Sequence, residues 1–175
     1  RCWLFATLNL FRVGAMEKMK LKDFEFSQSH LHFWDKFERS NHFLEAIIGT
    51  SDRPVDDRTT HFLLSDPIGD GGQWNMAMNL IRKHGLVPMS AYPESNSSSS
   101  TRPMNNILKE VLRTSASEIR SILEKGGTKK EARRQKESRM SDIWKILCIH
   151  LGTPPEHFDW QWRDKDGKFH RKGKM

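Results

Sequence analysis

A cysteine followed directly by an apolar run constrains this chain more than any other stretch. Cys2 precedes Trp3–Phe11, in which only Thr7 and Asn9 are polar. A run that is apolar on all sides is typical of a buried helix. Cys2 would then lie at the helix N-terminus, where unpaired N–H groups and the helix dipole favour an anion. That position suits a nucleophilic thiolate, whereas a small packing residue is the alternative that this stretch alone favours.

The cysteine content and the hydropathy limit the class of protein. Only Cys2 and Cys148 occur in 175 residues, so no disulfide framework is indicated and a cytoplasmic location is expected. Cys148 lies among apolar helical positions and is interpreted as a packing residue. No apolar run is long enough to span a membrane. His30 and His32 form an H-x-H pair, but residues two apart face different sides of a helix, so no metal site is expected.

Positive charge is concentrated in the second half of the chain. From residue 101 onward there are 18 Lys/Arg and 10 Asp/Glu, a balance of +8, whereas the first hundred residues carry 11 and 12, a balance of −1. Such a basic half could attract nucleic acid or acidic partners. A solvated helical surface is the interpretation that we favour.

Several short motifs follow one another along the chain. They are Cys2-Trp3-x-Phe5, Phe24-Glu25-Phe26-Ser27-Gln28-Ser29 with Phe33-Trp34-Asp35-Lys36, Asp70-Gly71-Gly72-Gln73-Trp74, Tyr92-Pro93-Glu94-Ser95, and Leu151-Gly152-Thr153-Pro154-Pro155-Glu156-His157-Phe158. Together, in this order, they resemble the bleomycin hydrolase, or aminopeptidase C, branch of the papain-like cysteine peptidases. Each motif alone is a weak signal, but the ordered set covers nearly the whole chain.

The resemblance implies an α+β papain-like fold, of which this chain holds the mainly helical half and a helical insertion. The chain itself is therefore expected to be predominantly α. Residues 1–95 would form the helical part of the peptidase domain, which carries the nucleophile. The serine-rich residues 96–102 would be a linker and 103–157 the helical insertion. Alternating residues 158–162 and a turn at 164–167 predict a β-hairpin in 158–175, with a frayed end.

The resemblance also implies a function and its residues. Cys2 would be the nucleophile of a cysteine aminopeptidase that hydrolyses peptide substrates through an acyl-enzyme, without a cofactor. Gly71 and Gly72 would border the cleft and hydrogen-bond an extended substrate, because glycine lets another backbone approach closely. Without the resemblance, Gly-Gly would indicate only a flexible turn. The family assembles as a homo-oligomer, a hexamer.

Parts of the catalytic machinery expected from the resemblance have no match here. The oxyanion Gln of the family precedes the nucleophile, and its catalytic His and Asn lie far downstream. The chain begins with Arg-Cys rather than Met, so we expect the natural N-terminus upstream and this fragment alone to be inactive. The alternative is a non-catalytic binding or assembly module with a basic helical half. Binding that weakens steeply with salt would favour its nucleic-acid version.

Overall fold

The computed structural model describes residues 1–173 and is mainly helical. Its elements in chain order are α1 (Cys2–Met19), α2 (Gln28–Gly49), α3 (Arg58–Ser65), α4 (Trp74–His84), α5 (Asn96–Ser99), α6 (Arg102–Glu124), α7 (Lys129–Leu151), β1 (Trp160–Arg163) and β2 (Phe169–Lys172). Of the predicted frayed end, Lys174 and Met175 lie outside the described residues, and Arg171 and Lys172 belong to β2.

Helix α2 is the centre of the main apolar core. It begins at Gln28, because the Ser27 hydroxyl accepts a hydrogen bond from the His30 N–H at 3.1 Å. Its apolar stripe packs against α6 and α7, whose apolar residues recur at helical spacing. We call this cluster the α2 core; its fully buried members include Phe33, Leu44, Ile47, Met104, Leu108, Leu112, Ile119, Ile143 and Leu147.

The opening helix is present, but the expectation that it is buried on all sides is wrong. Only Leu4, Thr7 and Leu8 of α1 are buried. Leu10 is 67% exposed and Val13 59% exposed. In residues 1–173, α1 packs against α2 and α4 along one face only. An apolar sequence indicates that a helix can be buried, but burial also requires neighbouring elements that cover each of its faces.

The serine-rich segment, which was predicted to be a linker, contains the short helix α5. Ser95 and Ser98 form a reciprocal capping box that begins α5. The Ser95 hydroxyl donates to the backbone oxygen of His150 at 2.8 Å, which fixes α5 on the end of α7. The helices beyond it share the α2 core, so they do not pack as a body separate from residues 1–95. Short hydroxyl side chains cap helices as readily as they form linkers.

The predicted hairpin is present at the end of the described chain. β1 and β2 pair antiparallel, with Trp162 opposite His170. Asp164 closes the turn by accepting hydrogen bonds from the N–H groups of Asp166 and Lys168 at 3.0 and 2.9 Å. The Asp164 carboxylate therefore stabilises the turn that was predicted at residues 164–167.

Candidate active site

Cys2 is the first residue of α1, and its side chain is an exposed free thiol. Arg1 occupies the N-cap position, and its side chain caps no N–H group of the helix. Its backbone oxygen accepts hydrogen bonds from the N–H groups of Leu4 and Phe5. The backbone N–H groups of Cys2 and Trp3 therefore have no side-chain acceptor among residues 1–173. Unpaired N–H groups at such a helix start can bind an anion that develops next to the exposed thiol.

Trp3 connects the start of α1 to the two glycines. Its indole Nε1 donates to the backbone oxygen of Asp70 at 3.0 Å. The ring also lies against Gly72, where an added Cβ would come within 2.5 Å of the indole. Trp3, the residue that follows Cys2, thus links the start of α1 to Asp70 and Gly72.

A buried lysine fixes the segment that precedes the glycines. Lys36 of α2 is fully buried, and its Nζ contacts Asp70 Oδ1 at 2.5 Å and the backbone oxygen of Gly69 at 3.1 Å. Asn105 of α6 donates to the other oxygen of the Asp70 carboxylate at 3.2 Å. Partial burial would raise the pKa of Asp70, but the hydrogen bond and charge of Lys36 outweigh it and lower the pKa. Asp70 is therefore an anion held from two helices.

Arg39 forms the third attachment of this segment. Its Nε donates to Asp35 Oδ1 one helical turn earlier, at 2.8 Å, and its Nη2 donates to the backbone oxygen of Gly71. The guanidinium also lies 5.9 Å from the centre of the Trp3 ring. Burial raises the pKa of Asp35, while the charge of Arg39 opposes that rise. The arginine thereby couples α2, the glycines and the residue beside Cys2.

The two glycines differ in their surroundings. An added Cβ at Gly71 would meet nothing within 4 Å, whereas at Gly72 it would overlap Trp3. In the part of the chain that the structure describes, neither the N–H nor the C=O of Gly72 has a hydrogen-bonding partner. A half-buried residue whose N–H and C=O are both unpaired can receive an extended peptide.

His30 and His32, the H-x-H pair, are both buried, and different charged groups lie near each of them. Burial lowers the pKa of His30 to about 4, and the charge of His84 adds to that effect. Burial lowers the pKa of His32 to about 3, and the charges of Lys36 and Arg1 add to it. His30 Nε2 accepts a hydrogen bond from Trp34 Nε1 at 3.2 Å. Both imidazoles are neutral at pH 7, and they belong to the packing of α2.

The roles of Lys36, Arg39 and Asn105 were missed by the sequence interpretation. One signal was present, because Lys36 lies on the same helical stripe as Phe33, Ser40 and Phe43. A lysine at a core position is rarely buried unless it is paired. The sequence carried no signal that its partner would be Asp70, 34 residues further on.

Many basic side chains of α6 and α7 are paired with acids. Arg139 binds Glu118, and Arg133 and Lys136 bind Glu45 of α2. Exposed ion pairs of this kind are ordinary features of a solvated surface. They favour that interpretation of the basic half over a nucleic-acid surface.

Comparison with known proteins agrees with this geometry. A sequence profile described as the Peptidase C1-like family matches residues 1–175. The chain belongs to the Peptidase C1-like family. It is 43% identical to the bleomycin hydrolase of Rattus norvegicus over 175 residues, which is 99% of this chain and 38% of that protein. It is 44% identical to the aminopeptidase C of Streptococcus thermophilus over 169 residues, 97% of this chain and 38% of that protein.

A solved structure shows that the likeness extends to the fold. The crystal structure of PepW from Lactobacillus rhamnosis HN001 matches with a TM-score of 0.98 and 41% identity, covering 100% of this chain and 39% of PepW. The prediction of the mainly helical part of a papain-like fold is thereby confirmed. The chain spans 38–39% of the length of these three Peptidase C1-like relatives. Of the helices in residues 1–173, none combines the length and the apolarity needed to cross a bilayer.

Proposed function

We propose that this chain carries the nucleophile of a cysteine aminopeptidase of the bleomycin hydrolase type. The observation that carries the proposal is Cys2, an exposed thiol at the uncapped start of α1, followed by Trp3, whose ring lies against Gly72 and its unpaired backbone. A nucleophile and a main-chain binding edge in one place are what peptide hydrolysis requires.

In the proposed reaction, the Cys2 sulfur attacks the carbonyl carbon of the scissile amide. The oxygen of that carbonyl becomes an anion, to which the backbone N–H of Cys2 donates a hydrogen bond. The C–N bond then breaks, and the amine leaves with a proton supplied by an imidazolium. Water hydrolyses the resulting thioester, which releases the acid and returns the thiol.

Substrate binding is assigned to Gly71 and Gly72. The Gly72 N–H and C=O would pair with an extended peptide as one strand pairs with another. Pairing through the main chain does not depend on the side chains of the peptide, which suits an enzyme that acts on varied peptides. Gly71 contributes through the absence of a side chain, which leaves the approach open.

The imidazole and the group that orients it are assigned to parts of the longer relatives that this chain does not match. The 175-residue chain alone should therefore show no measurable peptidase activity, because a thiol without a base is a poor nucleophile at neutral pH. Turnover by the bare chain that disappears in Cys2→Ala would contradict this.

A chimera tests the function. Residues 1–175 would replace the matching segment of Streptococcus thermophilus aminopeptidase C, and hydrolysis of aminoacyl arylamides would be measured. A peptidyl epoxide should add once, at Cys2, as seen by intact mass. Activity and adduct should be lost in Cys2→Ala and kept in Cys148→Ala, the matched control at the other thiol. A folded chimera without activity, or one that stays active in Cys2→Ala, would overturn the proposal.

The location and assembly of the enzyme complete the proposal. Both cysteines are free thiols, which supports a reducing compartment such as the cytosol. Assembly with further copies, as a hexamer, is proposed from the family resemblance. Size-exclusion chromatography with light scattering on the chimera measures that assembly.

A further inference from the structure

The backbone on either side of the Gly71–Gly72 peptide bond is held very unequally. The Asp70 carboxylate is bound by Lys36 and Asn105, and the Asp70 backbone oxygen by Trp3. The Gly71 backbone oxygen is bound by Arg39. Within the described chain, by contrast, neither the backbone N–H nor the C=O of Gly72 is hydrogen bonded.

The Arg39 hydrogen bond fixes the orientation of one peptide plane. The bond between Gly71 and Gly72 is trans, like all described peptide bonds, so the Gly71 C=O and the Gly72 N–H point in opposite directions. Arg39 draws the C=O toward α2, so the Gly72 N–H must point away from α2. Glycine has no side chain to restrict this plane, so without an external partner it could rotate.

Arg39 is itself held in place before any ligand arrives. Its Nε is bound to Asp35, which is 3% exposed, and its guanidinium lies near the Trp3 ring. A guanidinium donates in two fixed directions at once, which allows one side chain to bind a carboxylate and a carbonyl together. A lysine head group offers no such fixed fork.

We propose that Arg39, anchored by Asp35, is a positioning residue that sets the Gly71–Gly72 peptide plane so that the Gly72 N–H faces the backbone of an extended ligand. This inference rests on the proposed function, in which Gly72 binds peptide. It deepens that function by assigning specificity for an extended main chain to a side chain outside the cleft. A residue that only stabilised the fold would affect all reagents at Cys2 alike.

The first test uses the 175-residue chain and no catalysis. Nuclear magnetic resonance relaxation of the Gly72 N–H would be measured in the parent, in Arg39→Met and in Arg113→Met. Arg113 is a matched control, since it also donates to backbone oxygens, those of Leu64 and Ser65, at 3.2 and 3.0 Å. The order parameter of the Gly72 N–H should be ~0.85, the value of a rigid backbone, in the parent and in Arg113→Met. It should fall below ~0.6 in Arg39→Met only. An unchanged value in Arg39→Met would overturn the inference.

The second test uses the chimera and two reagents for Cys2. A peptidyl epoxide needs the backbone site, whereas iodoacetamide does not. In Arg39→Met the ratio of their alkylation rates, epoxide over iodoacetamide, should fall about tenfold, the scale of one lost hydrogen bond to a charged group. The ratio should stay unchanged in Arg113→Met and should not be restored in Arg39→Lys. A full recovery with lysine would show that charge alone suffices, and it would overturn the plane-setting role.

The outcomes separate the two proposals. If neither reagent modifies Cys2 in preference to Cys148 in the parent chimera, the proposed function fails, and the relaxation measurement still decides the role of Arg39. If Cys2 reacts normally but the ratio is the same in Arg39→Met, the proposed function stands and this inference fails. An equal fall in Arg113→Met would assign the effect to general loosening and would also overturn it.

Discussion

Helix α1 is more apolar in sequence than the helices that form the α2 core, but it is much less buried. Leu112 of α6 is fully buried between helices, whereas Leu10 of α1 is 67% exposed. Helix α7 begins with a complete capping box, whereas α1 begins with no side-chain cap. The core is thus buried between helices, whereas α1 leaves Cys2 and much of its apolar surface exposed. The apolar content of a helix therefore does not predict how deeply it is buried. The helices that pack against it decide that.

Truncating one leucine in each region tests this contrast most directly. Leu112→Ala should lower the free energy of unfolding by ~2–5 kcal/mol, because it leaves a cavity in the α2 core. Leu10→Ala should change it by less than ~0.5 kcal/mol, because that side chain is mostly in water already. Urea denaturation followed by circular dichroism measures both. Equal losses would mean that α1 is buried in solution, and the contrast would fail.

A pH series examines the buried imidazoles of α2. The pKa values of His30 and His32 are about 4 and about 3, against about 6.5 in an unfolded chain. Between pH 6.5 and 4 the unfolded chain therefore binds protons that the folded chain excludes. The free energy of unfolding should fall as the pH falls through that window, by up to ~1.4 kcal/mol per pH unit for each histidine. Above pH 6.5 these groups contribute no slope.

The histidine contribution is isolated by one variant and its control. His32→Asn should flatten the slope of stability against pH, whatever its effect on absolute stability. His61→Asn removes an imidazole from the exposed surface of α3 and serves as the control. A slope in His32→Asn as steep as that of the parent would show that His32 is protonated in the folded chain.

The two glycines should respond differently to the same methyl group. Gly72→Ala should destabilise the chain by ~1–3 kcal/mol, because its Cβ would overlap the Trp3 indole. Gly71→Ala should cost less than ~0.5 kcal/mol, since its Cβ enters open space. Thermal unfolding measures the cost, and the Trp3 indole proton resonance reports whether its hydrogen bond to Asp70 persists. Similar costs at both positions would place Trp3 elsewhere.

Helix starts provide the smallest of these effects. Thr128→Ala should cost ~1 kcal/mol, because it removes the side-chain acceptor of the α7 capping box. Arg1→Ala should cost less, about 0.5 kcal/mol or below, because Arg1 caps nothing and its pairing with Glu94 is partly exposed. Chemical denaturation of both variants checks the order. A larger loss for Arg1→Ala would show that α1 depends on its first residue for stability.

Local signals made much of the fold predictable. The hairpin was correctly predicted from alternation and a turn, and the helix caps at Ser27 and Thr128 use equally local contacts. Each depends on residues within a few positions of one another, where chain geometry determines the contacts. The serine-rich segment shows the limit of local signals, because the same residues suit a linker and a capped helix, and the contact of Ser95 with His150 is distant in sequence.

The site was only partly predictable for a related reason. The placement of Cys2 follows from its position at the start of a helix, and that of Gly71 and Gly72 came from family resemblance. The side chains of α2 and α6 that hold Asp70 and Gly71 lie 32 to 35 residues away from them in sequence. No local pattern relates Arg39 to a glycine carbonyl or Lys36 to Asp70. Their pairing is a property of how α2 packs beside the loop.

The contrast between Gly71 and Gly72 has a practical side for protein engineering. Since the loop is anchored from outside by α1, α2 and α6, its shape does not depend on what side chain stands at position 71. A library of residues at that position would leave the packing intact and would fill the approach that Gly71 leaves open. Position 72 offers no such freedom, because the Trp3 ring occupies the space. Two adjacent and identical residues therefore divide into one designable site and one fixed site.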